Sequence, residues 1–179
     1  MRIQENELLQ LVQEMNFSQY GILATEGLQF RTEVREMCAS DRCHLYGRSW
    51  KCPPACGSLE EIREEAKRFR KGIVLQMTGQ MEDDYDIETM METEGDLKKK
   101  VLALVEELKK QGYEVLPMSA GGCTLCKECT YPDAPCRFPD KAYPSMEAYG
   151  LVVSDCCTMA GVKYYYGPKT ITFSACILF

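Results

Sequence analysis

Cysteine is the residue type that dominates the chemistry open to this chain. Eleven cysteines accompany a single histidine, His44, in 179 residues. This ratio excludes metal sites that need two or more histidines, such as zincin sites, Cys2His2 fingers, Rieske centres and facial triads. What remains is thiol chemistry: metal ligation, nucleophilic or redox catalysis, or disulfide bonding.

The N-terminal segment predicts the cellular compartment of the protein, and the net charge excludes some classes of binding partner. Residues 1–10 lack the basic and apolar regions of a signal peptide, and no apolar run approaches the ~18 residues of a membrane span. We therefore expect a cytoplasmic protein with reduced thiols, and the odd number of cysteines also argues against a disulfide framework. The net charge of −6 argues against binding to nucleic acid or to an anionic membrane surface.

The more regular of two cysteine sets lies in the second half of the chain. It has the pattern C-x2-C-x2-C, formed by Cys123, Cys126 and Cys129, followed after six residues by Cys136. Three thiolates at this spacing can each hold one corner of a cubane, as in bacterial ferredoxins, although there the fourth cysteine follows after three residues. A four-cysteine zinc site is the alternative, but such sites usually consist of two C-x2-C pairs far apart in sequence. We predict a [4Fe-4S] cluster here.

The first cysteine set has a looser spacing. It consists of Cys38, Cys43, Cys52 and Cys56, and the C-x4-C opening is similar to that of plant-type ferredoxins without the C-x2-C that follows there. Because Cys52 precedes Pro53, as a remote cluster ligand does in ferredoxins, it could instead complete the second site. We predict a second metal site, with a solvated basic loop as the alternative.

Basic and aromatic residues surround the first set. Arg42, Arg48 and Lys51 lie between its cysteines, together with Tyr46 and Trp50. A cluster with four thiolates carries net negative charge, so nearby cations would stabilise its reduced form.

The other candidate groups carry less chemistry. Cys156 and Cys157 are adjacent on a predicted helix and point apart, so we expect at least one of them to be a core residue. Cys176 lies in the last predicted strand and is expected to be inert. His44 follows Cys43 and could orient its thiolate, but a lone histidine in a loop gives little support to a Cys–His dyad.

Hydrophobic periodicity indicates the elements that must position these residues. Predicted helices cover residues 4–15 and 32–37, a segment from the capping box at Ser58 to Gly72, a long helix that ends at Gly112, and parts of 145–160. Predicted strands cover 20–25, 73–81, 113–118 and 170–179. The pattern predicts an α/β (α+β) layer sandwich of about four strands with helices. We expect a single domain over residues 1–179, with cysteine-rich metal-binding loop insertions at about 38–56 and 121–139.

The cysteine motifs resemble those of a known family. The motifs are C-x4-C-x8-C-P-P, with Tyr46-Gly47 and Trp50 inside it, then G-C-x2-C-x2-C-x6-C-R-x-P from Gly122, and S-M-E-A-Y-G from Ser145. They resemble a family of small prokaryotic proteins described only as predicted metal-binding proteins, a domain of unknown function. The resemblance covers most of the chain from about Cys38 onward. It implies metal-binding cysteines at the following positions: Cys38, Cys43, Cys52, Cys123, Cys126, Cys129 and Cys136.

Cys56 lies outside this family pattern, so the fourth ligand of the first site stays open. If three thiolates hold the first cluster, one iron is free to act as a Lewis acid, which would mean an enzyme.

Three functional hypotheses follow from the sequence. The first is an iron–sulfur protein with two cysteine-ligated clusters, which exchanges electrons with a partner protein or transforms a small-molecule substrate at the first cluster. The second is a zinc-stabilised binding module without redox activity. The third is a thiol-based redox sensor that uses Cys156 or Cys56.

Overall fold

Two long antiparallel strands form the centre of the fold. In the computed structural model, which describes residues 1–179, the sheet has the order β1-β2-β4-β3 and every neighbouring pair is antiparallel. The strands are β1 (Gln19–Ala24), β2 (Lys71–Gln80), β3 (Leu116–Met118) and β4 (Thr170–Leu178). The helices are α1 (Glu5–Glu14), α2 (Thr32–Ala39), α3 (Leu59–Ala66), α4 (Ile87–Lys110) and α5 (Val153–Met159), with 3-10 turns at Thr25–Gly27 and Glu147–Tyr149. The predicted α+β architecture of about four strands with helices is confirmed.

The sheet is covered on both faces. Ile73 and Ile177 pack in one core with the apolar sides of α1 and α4. Val74 and Cys176, their neighbours along the strands, pack in a second core with α3, α5 and the 147–149 turn. Residues 174–179 are all buried, so both faces of β4 are covered in its C-terminal half. None of the helices combines the length and the apolar character needed to cross a bilayer.

Local signals fix the helix ends. The Ser58 hydroxyl accepts a hydrogen bond from the Glu61 N–H (3.2 Å), and the Glu61 carboxylate accepts one from the Ser58 N–H (2.7 Å), which is the predicted capping box. The following helix ends at Ala66 and does not reach Gly72 as predicted. Gly72 lies in β2, where a Cβ atom would approach Leu178 Cδ2 to 2.8 Å. This glycine therefore serves strand packing.

The long helix ends in a Schellman motif at the predicted glycine. Gly112 has φ +82°, its N–H donates to Lys109 O (2.9 Å), and the Tyr113 N–H donates to Leu108 O (2.9 Å). Because Tyr113 takes part in this cap, β3 begins only at Leu116 and is shorter than the predicted strand.

A buried amide ties the segment before β4 to the sheet. Gln76 in β2 has no exposed surface, and its Nε2 donates to Lys163 O (2.9 Å) and to Ser174 Oγ (3.1 Å). Its Oε1 accepts from the Tyr166 hydroxyl (2.8 Å). Burying an amide is favourable only when its donors and acceptors are paired, so Gln76 and Tyr166 depend on each other.

We predict that Tyr166→Phe destabilises the fold by about 1–3 kcal/mol, because it leaves the buried Gln76 oxygen without a donor. Tyr165→Phe is the matched control, since Tyr165 is 62% exposed and makes no side-chain hydrogen bond. Urea denaturation of the two variants and the parent measures the difference. Equal free energies of unfolding for both variants would show that the Gln76 oxygen finds another donor.

Candidate metal centre

The two cysteine sets lie on two long stretches without helix or strand. Residues 40–58 connect α2 to α3, and residues 119–146 lead from β3 to the 147–149 turn. No side chain from 121 to 141 is buried. Hydrophobic burial therefore cannot order the second stretch, and irregular segments of this length inside compact proteins usually have a functional reason. Ligand binding is one way to supply the missing free energy.

The ends of the second stretch are pinned to the core. The Ser119 N–H donates to Pro144 O (2.8 Å), and the Met146 N–H donates back to Ser119 O (3.2 Å). From α4, Lys98 Nζ donates to Gly122 O (2.8 Å) while it is paired with Glu94 (2.7 Å). The segment that carries the second cysteine set is thus closed at its base and projects from the fold.

The two stretches contact each other directly. Trp50 Nε1 donates to Ala134 O (3.0 Å), and the Trp50 ring meets that of Tyr131 edge to face, with centroids 4.9 Å apart. A Cβ atom on Gly122 would lie 2.0 Å from Leu45 Cδ1, so glycine allows the close approach there. The predicted loop insertions are therefore one structural unit.

The four thiols of the second set line a common cavity of about 570 Å³, together with Cys43 of the first set. Burial raises the pKa of Cys123, and repulsion by the thiolates of Cys136, Cys126 and Cys129 raises it further, against a hydrogen bond from the Leu125 N–H. All four sulfur atoms are thus close enough to influence one another.

Cys129 differs from its neighbours because hydrogen bonds stabilise its thiolate. Burial opposes ionisation of this thiol. Backbone N–H groups of Tyr131, Trp50 and Thr130, together with the Ser49 hydroxyl, nevertheless lower the pKa of Cys129 below its ordinary value. Two of these donors come from the first stretch, so both stretches build the surroundings of this sulfur.

The four thiols of the first set are also grouped in space. Burial raises the pKa of Cys52 to about 11, and the thiolates of Cys43, Cys56 and Cys38 add to this rise, while a hydrogen bond from Ser49 opposes it. Cys52 therefore lies with the first set, which argues against its completing the second. Cys56, whose role the sequence left open, lies with the other three cysteines.

Two thiols of the first set face the 147–149 turn. Cys56 Sγ donates to Ala148 O (3.7 Å), and Cys38 Sγ lies 4.0 Å from Glu147 O. Burial raises the pKa of Cys38, and the Glu147 carboxylate raises it further. These contacts belong to protonated thiols, so a metal that requires thiolates would have to replace them.

Ser49 links the two sets and was missed in the sequence. It is 2% exposed, and its hydroxyl lowers the pKa of Cys52 in the first set and of Cys129 in the second. A serine between basic residues gives no sequence signal of this kind.

The cations are distributed differently from the prediction. Arg48 and Lys51 line the cavity of the second set, and Arg42 is exposed. Lys51 opposes the rise in the pKa of Cys56 as predicted, but the cation that opposes the rise in the pKa of both Cys38 and Cys56 is Arg35. Sequence reasoning missed it, although a helical residue three positions before Cys38 lies on the same side of α2.

The Arg35 guanidinium is incompletely paired. Its Nη2 donates to Gly57 O (3.0 Å), but its buried Nη1 has no hydrogen-bond partner. A buried charged donor without an acceptor is costly, so this position calls for an anionic group. A metal bound by several thiolates is such a group, and thiolates are the ligands of zinc, copper(I) and iron–sulfur clusters.

The thiols of each set lie near one another, but they do not form the ligand shell of a single metal ion. No three histidine, cysteine, aspartate or glutamate side chains are arranged to hold one metal ion.

The remaining three cysteines lie apart from the two sets. Cys156, Cys157 and Cys176 are buried in the core beneath the sheet, and burial raises the pKa of Cys156 to about 12. The prediction that the adjacent pair contributes to the core is confirmed for both members. His44 is exposed, with φ +57°.

Comparison with known proteins agrees with this thiol-rich unit. The family model described as "Predicted metal-binding protein (DUF2284)" matches residues 21–179, a range that includes both cysteine sets. Comparisons with curated proteins and with solved structures gave no match. Since the match covers most of the sequence, the chain belongs to this family of predicted metal-binding proteins of unknown function.

Proposed function

We propose that this chain is an iron–sulfur protein that binds two cysteine-ligated [4Fe-4S] clusters and transfers electrons. Cys123, Cys126, Cys129 and Cys136 hold one cluster. The four cysteines of the first set hold the other: Cys38, Cys43, Cys52 and Cys56. When bound, such clusters take up and release single electrons. The electrons come from or go to a partner protein or a small-molecule substrate.

The observation that carries the proposal is the cavity shared by the four thiols of the second set. A zinc ion holds its sulfur ligands at about 2.3 Å, which leaves almost no space between them. A cavity of about 570 Å³ lined by the four thiols has room for a core of several iron and sulfide atoms. The lack of buried side chains from 121 to 141 supports the same conclusion, because the bound core would supply the missing interactions.

Hydrogen bonds and charge at the second set also favour a cluster. The N–H groups of Tyr131, Trp50 and Thr130 point at Cys129, and hydrogen bonds to the sulfur ligands stabilise the reduced form of a cluster. Arg48, Lys51 and Arg137 line the same cavity and offset the negative charge of four thiolates.

The contact between the two stretches supports electron transfer between two clusters. Ser49 approaches a thiol of each set, and a cleft of about 350 Å³ is lined by Cys56 of the first set and Cys136 of the second. Trp50 and Lys51 also line this cleft. A small molecule in the cleft would contact both sets.

The proposed compartment is the cytoplasm. All eleven cysteines are free, and glutathione and thioredoxin keep thiols reduced there.

We predict that protein reconstituted under anaerobic conditions with iron and sulfide contains about eight iron and about eight sulfide per chain. It should be brown, with broad absorption near about 400 nm. The measurements are iron, sulfide and zinc analysis with the absorption spectrum. A colourless protein with about two zinc per chain would replace this proposal with the zinc-stabilised binding module.

We predict that Cys126→Ala loses about half of the bound iron, or only about one iron in eight if the second cluster survives in a three-iron form, because it removes one thiolate of the second cluster. Cys156→Ala is the matched control, since Cys156 is a buried core thiol outside both sets. Iron per chain and the electron paramagnetic resonance (EPR) spectrum of the reduced protein report the outcome. Full iron content in the Cys126→Ala variant would show that Cys126 is not a cluster ligand.

We predict that Cys56→Ala loses as much iron as Cys52→Ala, because the thiols of Cys56 and Cys52 belong to the same spatial group. Iron per chain is again the measurement. Should Cys56→Ala keep all its iron while Cys52→Ala does not, three thiolates suffice for the first cluster. The first site would then have one open iron, which supports an enzyme over an electron carrier.

A further inference from the structure

We infer that Arg35 pairs with the first cluster through its free guanidinium nitrogen and thereby raises the reduction potential of that cluster. The inference rests on the proposed function, because it requires a cluster at the first cysteine set. It concerns a positioning residue on α2 that belongs to neither cysteine motif.

The position of Arg35 is fixed from two sides. It lies in α2, three residues before Cys38, so both side chains project from the same side of the helix. Its Nη2 donates to the carbonyl of Gly57, which follows Cys56 in the sequence. The guanidinium is thus held between the two cysteines at the ends of the first set.

The Nη1 atom of Arg35 lacks a hydrogen-bond acceptor. Nη1 is buried and has no partner, and Arg35 forms no ion pair with any carboxylate of the chain. A planar guanidinium with one nitrogen already bonded presents the other in a fixed direction. The thiolates of Cys38 and Cys56 are anions that the chain can offer here, because Arg35 opposes the rise in the pKa of both thiols.

The charges around this position show why Arg35 matters more than the exposed cations. The Glu147 carboxylate acts on Cys38 in the opposite direction to Arg35, since it raises the pKa of that thiol. Arg42 lies in the same cysteine-rich stretch but is exposed, and solvent and salt screen its charge. Arg35 is half-buried and its Nη1 is buried, so its charge is screened less than that of Arg42.

A fixed positive charge has a defined effect on a one-electron reduction. The added reductant gives one electron to the cluster, no bond is formed or broken, and the cluster gains one negative charge. Arg35 stabilises this extra charge and shifts the equilibrium toward the reduced form. Removal of the cation therefore lowers the reduction potential of the first cluster and leaves the second cluster largely unchanged.

The test is an anaerobic titration of the reconstituted protein with dithionite, followed by EPR spectroscopy. We expect Arg35→Met to disfavour reduction of one cluster by about tenfold, which is about 59 mV for one electron. Arg35→Lys keeps the charge and should restore most of the potential. Arg42→Met, which removes an exposed charge from the same stretch, should cause a clearly smaller shift. Equal shifts in Arg35→Met and Arg42→Met would overturn the inference.

Iron analysis covers the case in which Arg35→Met does not assemble the first cluster. If Arg35→Lys then regains the lost iron, the positive charge is what the cluster requires, and the inference holds. If both variants lose the same iron, the role of Arg35 is its hydrogen bond to Gly57, and the inference is overturned. Parent protein that holds both clusters keeps the proposed function intact in either case. Parent protein that holds zinc without iron overturns both.

Discussion

The burial of closely spaced thiols, which opposes their ionisation, is the constraint that any metal bound by this protein must overcome. Two groups of four cysteines share one side of the fold, and the pKa values of Cys38, Cys52 and Cys123 all rise because burial and neighbouring thiolates oppose ionisation. The Cys56 thiol donates a weak hydrogen bond to Ala148 O. A metal that binds thiolates must therefore displace protons, and its binding free energy must also order the segments that carry the ligands.

The sheet and helices meet this constraint by fixing the ends of the two cysteine-rich stretches. The central strands are buried on both faces, so they form a rigid base for the irregular segments above them. The first stretch runs between α2 and α3, and the Arg31 N–H at the start of α2 donates to Gly150 O (2.8 Å), which holds α2 against the 147–149 turn. The second stretch is closed by the hydrogen bonds between Ser119 and residues 144–146. The chain between these anchors is free to adapt to a ligand.

The two stretches depend on each other for their polar groups. Ser49 and the Trp50 N–H of the first stretch lower the pKa of Cys129 in the second, and Trp50 also donates to Ala134 O. A change in one cysteine set would thus disturb the surroundings of the other. Arg35 likewise reaches the first cysteine set from α2, a helix that precedes most of this stretch.

The sequence by itself determined most of the helices and strands and the close spacing of the second cysteine set. Helix 4–15, the capping box at Ser58 and the glycine at 112 were predictable because hydrophobic period, capping and positive φ are local properties. The spacing of Cys123, Cys126 and Cys129 indicated a metal site for a similar reason, because three thiolates at that spacing lie close together in any compact loop.

Only the tertiary structure decided which distant residues meet. The sequence predicted that Gly72 ends a helix. Its role in the structure is to allow the close approach of Leu178, which lies in a paired strand more than a hundred residues later in the sequence. The burial of both faces of β4 depends on helices packed from two sides, which alternation within one strand cannot reveal. The grouping of Cys56 with Cys52, the placement of Ser49 between two cysteine sets and the unpaired nitrogen of Arg35 all depend on how the two stretches fold against α2 and the 147–149 turn. Such contacts are long-range in sequence, and no local pattern of residue types encodes them.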